Sequence, residues 1–358
     1  MATRIAILGA SGSVGTALAL HLLKSQLLEP DDCLLLVGHG EASLQHRLLS
    51  LRIDLLDAFD DERVEIGLVA EPKNVEADII ILAAGETVSP EHPTRRDLAI
   101  ANLPIFRDLA AACISRSPNA MFIIVSNPVE LAVHVLCEMA DRHRVVGMGA
   151  QQDSLRFARA VATDLGVSRH DVRASVVGEH GNAMVPLWGS VELLGRAQER
   201  ERALGDLRDR AKQLPLSERV AVLRREVDAL LRRGQIAEAY QSTRGALPDA
   251  RIFVEPFITV QAMHSTPNAT ANATLQLIAA CLAADRREVH GQVRLANEAL
   301  GIAGVYGVPV TVSRNGWHLG ELDILQLEGA QALVESARSI DNFLCEVLNA
   351  PPLMRAAQ

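Results

Sequence analysis

The apolar stretch Ile5-Ala6-Ile7-Leu8, followed at once by Gly9-Ala10-Ser11-Gly12-Ser13-Val14-Gly15, restricts the fold of this chain more than any other feature. Four consecutive apolar residues predict a short buried strand, and the pattern through Leu18, Leu22 and Leu23 predicts a helix behind the glycines. Strand, glycine turn and helix in this order are the context in which a dinucleotide pyrophosphate is held at a helix N-terminus. Gly9 permits the tight turn and Gly12 lets backbone N–H groups approach the pyrophosphate. Gly15 lets the helix pack closely on the strand, and Ser13 and Val14 sit in the same cradle. The spacing is GxxGxxG instead of GxGxxG.

Further apolar runs follow at Leu34–Val37, Val64–Val69, Ile79–Ala83 and Met121–Val125, with helical stretches between them. Alternating strands and helices predict an α/β chain with a Rossmann-type doubly wound parallel sheet and ligands at the strand C-terminal ends. Gly85, Ser126 and Asn127 follow such ends and are expected at the cofactor crevice. Asn127 also reads as a helix cap. The run Val145–Gly149 is expected to close the first sheet.

A carboxylate normally ends the second strand, holding the adenosine ribose hydroxyls of NAD. Gly38-His39-Gly40 stands here, with Glu41 beyond and Arg47 in the following helix. Repulsion of a 2′-phosphate is therefore absent at Gly38. NAD is the expected cofactor, with NADP left open.

Aromatic residues are only 3% of the chain, which argues against a base-stacking nucleic-acid platform. The formal net charge of −9 argues against DNA or membrane-surface partners. The five cysteines are scattered without metal-ligand spacing and read as buried hydrophobes in a reducing compartment, so no metal is expected. No apolar run is long enough to span a membrane, and the first strand begins at about Thr3. A cytoplasmic location is the expectation.

In the second half, His180 lies between Gly178 and Gly181 after the β-branched run Ser175-Val176-Val177. Flanking glycines let a substrate approach the ring, and histidine exchanges a proton near neutral pH. A structural histidine at a strand end is the bland alternative. Asp153 and Arg156 are one helical turn apart in Asp153-Ser154-Leu155-Arg156-Phe157. They read either as a surface ion pair or as partners of His180, the aspartate fixing its tautomer and the arginine gripping a carboxylate. The segment from Glu86 to Arg96 is polar and proline-containing and reads as a lid. Arg95 and Arg96 oppose the helix dipole at the next helix start. That suggests an anion for at least one of them; a solvated pair is the alternative.

These motifs together resemble the malate/lactate dehydrogenase family. The resemblance rests on Gly9–Gly15, Val125-Ser126-Asn127-Pro128-Val129, Asp153–Phe157, Gly178-Glu179-His180-Gly181 and Gly307-Val308-Pro309-Val310, in register over nearly the whole chain and nearer the malate branch. It implies hydride transfer between a nicotinamide cofactor and a small 2-hydroxy acid. His180 would be the proton donor and acceptor, Asp153 its partner and Arg156 the carboxylate ligand. Arg95 would swing in to polarise the carbonyl. Asn127 would hold the substrate oxygen and help place the nicotinamide, and Ser265 is a further substrate ligand. It also implies a homo-oligomer, a cofactor domain over 1–147 and a substrate domain over 148–358.

Departures stand beside it. Residues 192–250 are enlarged, with Val220, Leu223, Val227 and Leu230 at helical spacing. They read as a surface or subunit-contact excursion or as a substrate-side lid. Asn182 replaces a common aspartate. Val88 occupies the position where arginine selects malate and glutamine suits lactate, so an apolar 2-hydroxy acid competes with malate. Arg96 or His92 reaching inward would pair with a second carboxylate, and malate stays the family-level expectation, a malate dehydrogenase-like activity with the lactate or apolar 2-hydroxy acid reading as its alternative. A cofactor-binding protein without turnover, and an NAD-using glycosidase, are the remaining alternatives; Ser126 where the latter has cysteine counts against it.

Overall fold

The computed structural model describes residues 2–350 apart from 41, 60–62, 90, 93, 264, 286 and 322–328. Glu41, two lid prolines and His264 thus lie outside the described residues. The first half runs β1 (Arg4–Leu8), α1 (Ser13–Lys24), β2 (Cys33–Val37), α2 (Ala42–Phe59), β3 (Glu65–Val69), β4 (Ile79–Leu82), α3 (Arg95–Ile114), β5 (Met121–Ile124), α4 (Val129–Leu136) and β6 (Val145–Gly147). The strand order is β3-β2-β1-β4-β5-β6, all parallel. The order reverses beside β1, which puts the crevice between the ends of β1 and β4. Both central strands are buried on both faces, as their unbroken apolar runs require.

The second half adds α5 (Gly149–Leu165), β7 (Val172–Gly178), β8 (Met184–Leu193), α6 (Glu201–Ala211), α7 (Leu216–Leu231), α8 (Ile236–Thr243), α9 (Pro248–Met263) and α10 (Pro267–Leu282). It ends with β9 (Glu288–Ala299), β10 (Ile302–Ser313), β11 (Gly316–Leu319) and α11 (Ala330–Leu348). The sheet does not close at Val145–Gly149 as the sequence suggested. Gly147 pairs antiparallel with Gln292 of β9, and the sheet runs on through β10, β7 and β8, with β11 beside β10. Glycine makes the join: a Cβ on Gly291 would stand 2.4 Å from Val146 Cγ2. One apolar core accordingly spans both halves of the chain, from Ile5 to Val347.

A second core lies between α5, β7, β8 and the helices α6 to α9. The enlarged segment, in which the apolar spacing predicts at least one amphipathic helix, forms three, α6, α7 and α8. Val220, Leu223 and Val227 are the buried stripe of α7. Arg219 of α7 makes two bonds to the buried Asp249 carboxylate, 2.6 and 2.7 Å, and Trp188 Nε1 donates to the same group at 2.9 Å. No described helix is long and apolar enough to cross a membrane.

Candidate active site

His180 lies two residues past Gly178, the end of β7, and Asp153 projects towards it from α5. His180 Nδ1 is 2.7 Å from Asp153 Oδ2, and Arg156 Nη1 donates to Asp153 Oδ1 at 3.0 Å. With Nδ1 engaged, Nε2 is the ring nitrogen left for the adjoining cavity. Burial alone would raise the Asp153 carboxyl. The neighbouring His180, then Arg156, outweigh it and hold the group below the ordinary carboxylate range. Asp153 is thus ionised and able to stabilise an imidazolium. Arg156 also reaches Thr266 Oγ1 at 3.4 Å.

The glycine that admits the His180 ring is Gly149. A Cβ there would lie 2.4 Å from His180 Cγ. Gly178 and Gly181 serve other neighbours, which corrects the sequence reading. A Cβ at Gly178 would meet Ser336 Oγ at 2.4 Å, and one at Gly181 would meet Arg95 Nη1 at 3.4 Å.

A cavity of 350 Å³ opens in front of His180. Val14, Gly85, Val88, Ser126, Asn127 and Ser265 contribute to its lining, as do Arg156 and Thr266. Leu98, Phe257 and Val260 give it an apolar wall. A wider cleft of 560 Å³ adjoins it, sharing Arg156, Pro256 and Thr266, and includes Tyr240 of the enlarged segment.

Gly9 turns with φ +80°, and a Cβ on Gly15 would lie 2.3 Å from Gly9 O, so both glycines are obligatory. Gly12 caps α1 without any side-chain bond, leaving the first-turn N–H groups free of side-chain acceptors. Ser13 Oγ lies 3.4 Å from Ser265 Oγ, joining the glycine turn to the loop before α10. Ser126 Oγ donates to Leu82 O and Ala84 O, so this hydroxyl holds the strand ends together. Gly38 follows β2 and its N–H donates to Val69 O at 3.0 Å. Arg47 lies in α2 and is exposed.

The structure does not bring Arg95 into the cavity. Its Nη2 is 2.9 Å from Glu130 Oε2, its Nη1 pairs with Glu179 Oε1, and its guanidinium lies 4.6 Å from the Phe343 ring centroid. Arg96 Nε pairs with Glu346 at 2.5 Å, and neither Arg96 nor His92 lines the cavity. Sequence reasoning missed three supporting residues. Asn102, fully buried, accepts from Glu86 N and donates to Glu86 O and Asn127 O, fixing the lid's root. Gln292 accepts from Ala150 N at 3.0 Å. Glu130 accepts from His180 N at 2.6 Å. Glu130, directly after the Asn-Pro-Val motif, carried the only local hint, an acidic group in a helix whose one other polar residue is His134.

Residues 3–147 match the family model described as lactate/malate dehydrogenase, NAD binding domain. An L-2-hydroxycarboxylate dehydrogenase (NAD(P)(+)) of Methanocaldococcus jannaschii is 31% identical over 236 residues, 64% of this chain and 71% of that protein. The chain belongs to the lactate/malate dehydrogenase family. It is an oxidoreductase of that family, and residues 3–147 match the family's NAD-binding domain. Barley L-lactate dehydrogenase B is 34% identical, but the match spans 58% of this chain and 57% of that protein. Malate dehydrogenase of Natronomonas pharaonis is 31% identical over 58% of this chain and 69% of that protein. The fold of this family member superposes on malate dehydrogenase from Plasmodium falciparum with a TM-score of 0.74 at 21% identity, covering 97% of this chain and 99% of that one. Lactate dehydrogenase from Cryptosporidium parvum, in complex with lactic acid and nicotinamide adenine dinucleotide, gives 0.73 at 21%, covering 98% and 99%.

Proposed function

We propose that this chain is an NAD-dependent dehydrogenase interconverting 2-hydroxy and 2-oxo monocarboxylic acids that bear an uncharged, apolar side chain. Residues 1–147 form the cofactor domain and 148–358 the substrate domain, with Val88 and Asn127 of the first also lining the substrate cavity. The glycine turn suits a dinucleotide: Gly9 and Gly15 let strand, turn and helix pack backbone to backbone, and the N-terminus of α1 carries no side-chain cap that a pyrophosphate would have to displace. Bound NAD supplies the hydride acceptor. Arg156 grips the substrate carboxylate with its guanidinium fork. Asn127 faces the substrate oxygen. In oxidation, neutral His180 takes the hydroxyl proton at Nε2, and Asp153 stabilises the resulting imidazolium through Nδ1; in reduction the same proton returns to the oxygen.

The wall of the cavity carries the choice of substrate. Val88, Leu98, Phe257 and Val260 line it, and Arg156 is the sole arginine among its described lining residues. A second carboxylate, as in malate, would meet no arginine of this cavity's described lining besides Arg156, which the first carboxylate occupies. Gly38 removes the usual repulsion of a 2′-phosphate, so NADP is a weaker second cofactor. The relatives named for lactate, malate and 2-hydroxycarboxylate support the reaction class. The test is a series of 2-oxo acids assayed with NADH and NADPH. Pyruvate or a larger apolar 2-oxo acid is expected to exceed oxaloacetate in kcat/KM, and NADH to exceed NADPH. A strong oxaloacetate preference would return the chain to the malate reading; no turnover of any 2-oxo acid would leave a cofactor-binding protein.

A further inference from the structure

Glu130 and Glu179 are buried carboxylates, 0% and 4% exposed, outside the substrate cavity. Each uses one oxygen on the histidine loop and the other on Arg95. Glu130 Oε1 accepts from His180 N at 2.6 Å, and Oε2 faces Arg95 Nη2 at 2.9 Å. Glu179 Oε2 accepts from Ala183 N at 2.7 Å, and Oε1 pairs with Arg95 Nη1. Phe343 of α11 covers the guanidinium. Two buried anions around one cation form a closed arrangement, and removing the cation would leave both anions uncompensated.

Arg95 is also the first residue of α3, directly after the segment that borders the cavity. We propose that Glu130 and Glu179 are positioning residues that compete with the substrate for Arg95. In this arrangement the carboxylates hold the arginine beside the histidine loop. A 2-oxo acid draws it into the cavity only by displacing that ion pair. Glu130 thereby links two groups of the reaction, setting the His180 backbone with one oxygen and the position of Arg95 with the other. This rests on the proposed 2-oxo acid reduction.

The discriminating variant is Glu179→Gln, which removes one competing charge without touching the His180 N–H. KM for the preferred 2-oxo acid is expected to fall about two- to fivefold, the range for a partly exposed ion pair. The same substitution made in an Arg95→Met background is expected to leave KM unchanged. Calorimetric binding of oxamate to the NADH complex gives the same comparison without turnover. Tighter oxamate binding in Glu179→Gln supports the exchange even if the wild-type chain reduces no 2-oxo acid, which separates this inference from the proposed activity. A KM that is unchanged or raised in a folded variant, or a shift of the same size with Arg95 removed, overturns it. If Glu179→Gln does not fold, Glu130→Gln is read in the same way, because glutamine keeps an oxygen for the His180 N–H. If neither folds, the carboxylates are needed only for folding and the proposal is rejected.

Discussion

One carboxylate serves two partners: Asp153 Oδ2 is 2.7 Å from His180 Nδ1, and Asp153 Oδ1 is 3.0 Å from Arg156 Nη1. The His180 ring and the Arg156 guanidinium are thereby held in fixed relation. Asp153→Asn keeps the shape but loses the charge that stabilises the imidazolium. We expect kcat to fall by about 10²- to 10⁴-fold, the usual span for general acid–base catalysis. Steady-state kinetics check this, with NADH binding followed by fluorescence to show that the cofactor site is intact. A loss below tenfold would mean that His180 does not depend on that charge.

Gly149→Ala tests the seat of the ring. The added methyl would stand 2.4 Å from His180 Cγ and 2.6 Å from its Cβ, so ring or helix must shift. A displacement near 1 Å is expected to lower kcat by about 10²-fold. NADH affinity is expected to stay close to wild type, since Gly149 is remote in sequence from the glycine turn. A kcat unchanged in this variant would show that the ring position is not critical.

The parallel half of the sheet was legible because β1, β2, β4 and β5 each carry an unbroken apolar run and the stretches between them have a helical pattern. The continuation through Gly147 and Gln292 was not, because antiparallel pairing across 145 positions leaves no local period. Asp153, Arg156 and His180 were readable as residue types in a resembling order. Glu130 and Asn102 act through hydrogen bonds made by folding, 50 positions away to His180 and 25 to Asn127, and nothing local marks those partners. The flanking glycines misled for the same reason. Their contacts are Ser336 and Arg95, set by packing of distant segments.

Val88→Arg tests the selectivity of the cavity. The new guanidinium would face a second carboxylate. Val88 is 49% exposed, so water screens the pair and the gain falls to the level of a surface contact. The kcat/KM ratio of oxaloacetate to pyruvate is expected to rise by about fivefold, equivalent to ~1 kcal/mol. A ratio that stays constant would place the side-chain subsite elsewhere along the cavity wall.

Acid should weaken the fold through His290. Part of this residue reaches the surface, yet its Nε2 is sealed and has no hydrogen-bond partner among the described residues, and burial pushes the imidazole down from 6.5 to about 4. Between those values the unfolded chain takes up a proton that the folded chain refuses. Stability is therefore retained above pH 6.5 and lost as pH falls towards 4, by at most about 3 kcal/mol. Asp153, held low, adds a further loss only below the ordinary carboxylate range. Urea unfolding of His290→Leu across this window should show a flatter pH dependence than wild type. Parallel curves would mean that other groups dominate.

The most direct measurement is kcat for the preferred 2-oxo acid in His180→Asn, beside NADH affinity in the same preparation. Asparagine fits the space but cannot exchange the proton. The expected result is a fall in kcat of at least about 10²-fold with NADH affinity retained. A variant that binds NADH and turns over near the wild-type rate would contradict the assignment of His180 as the proton-exchanging group.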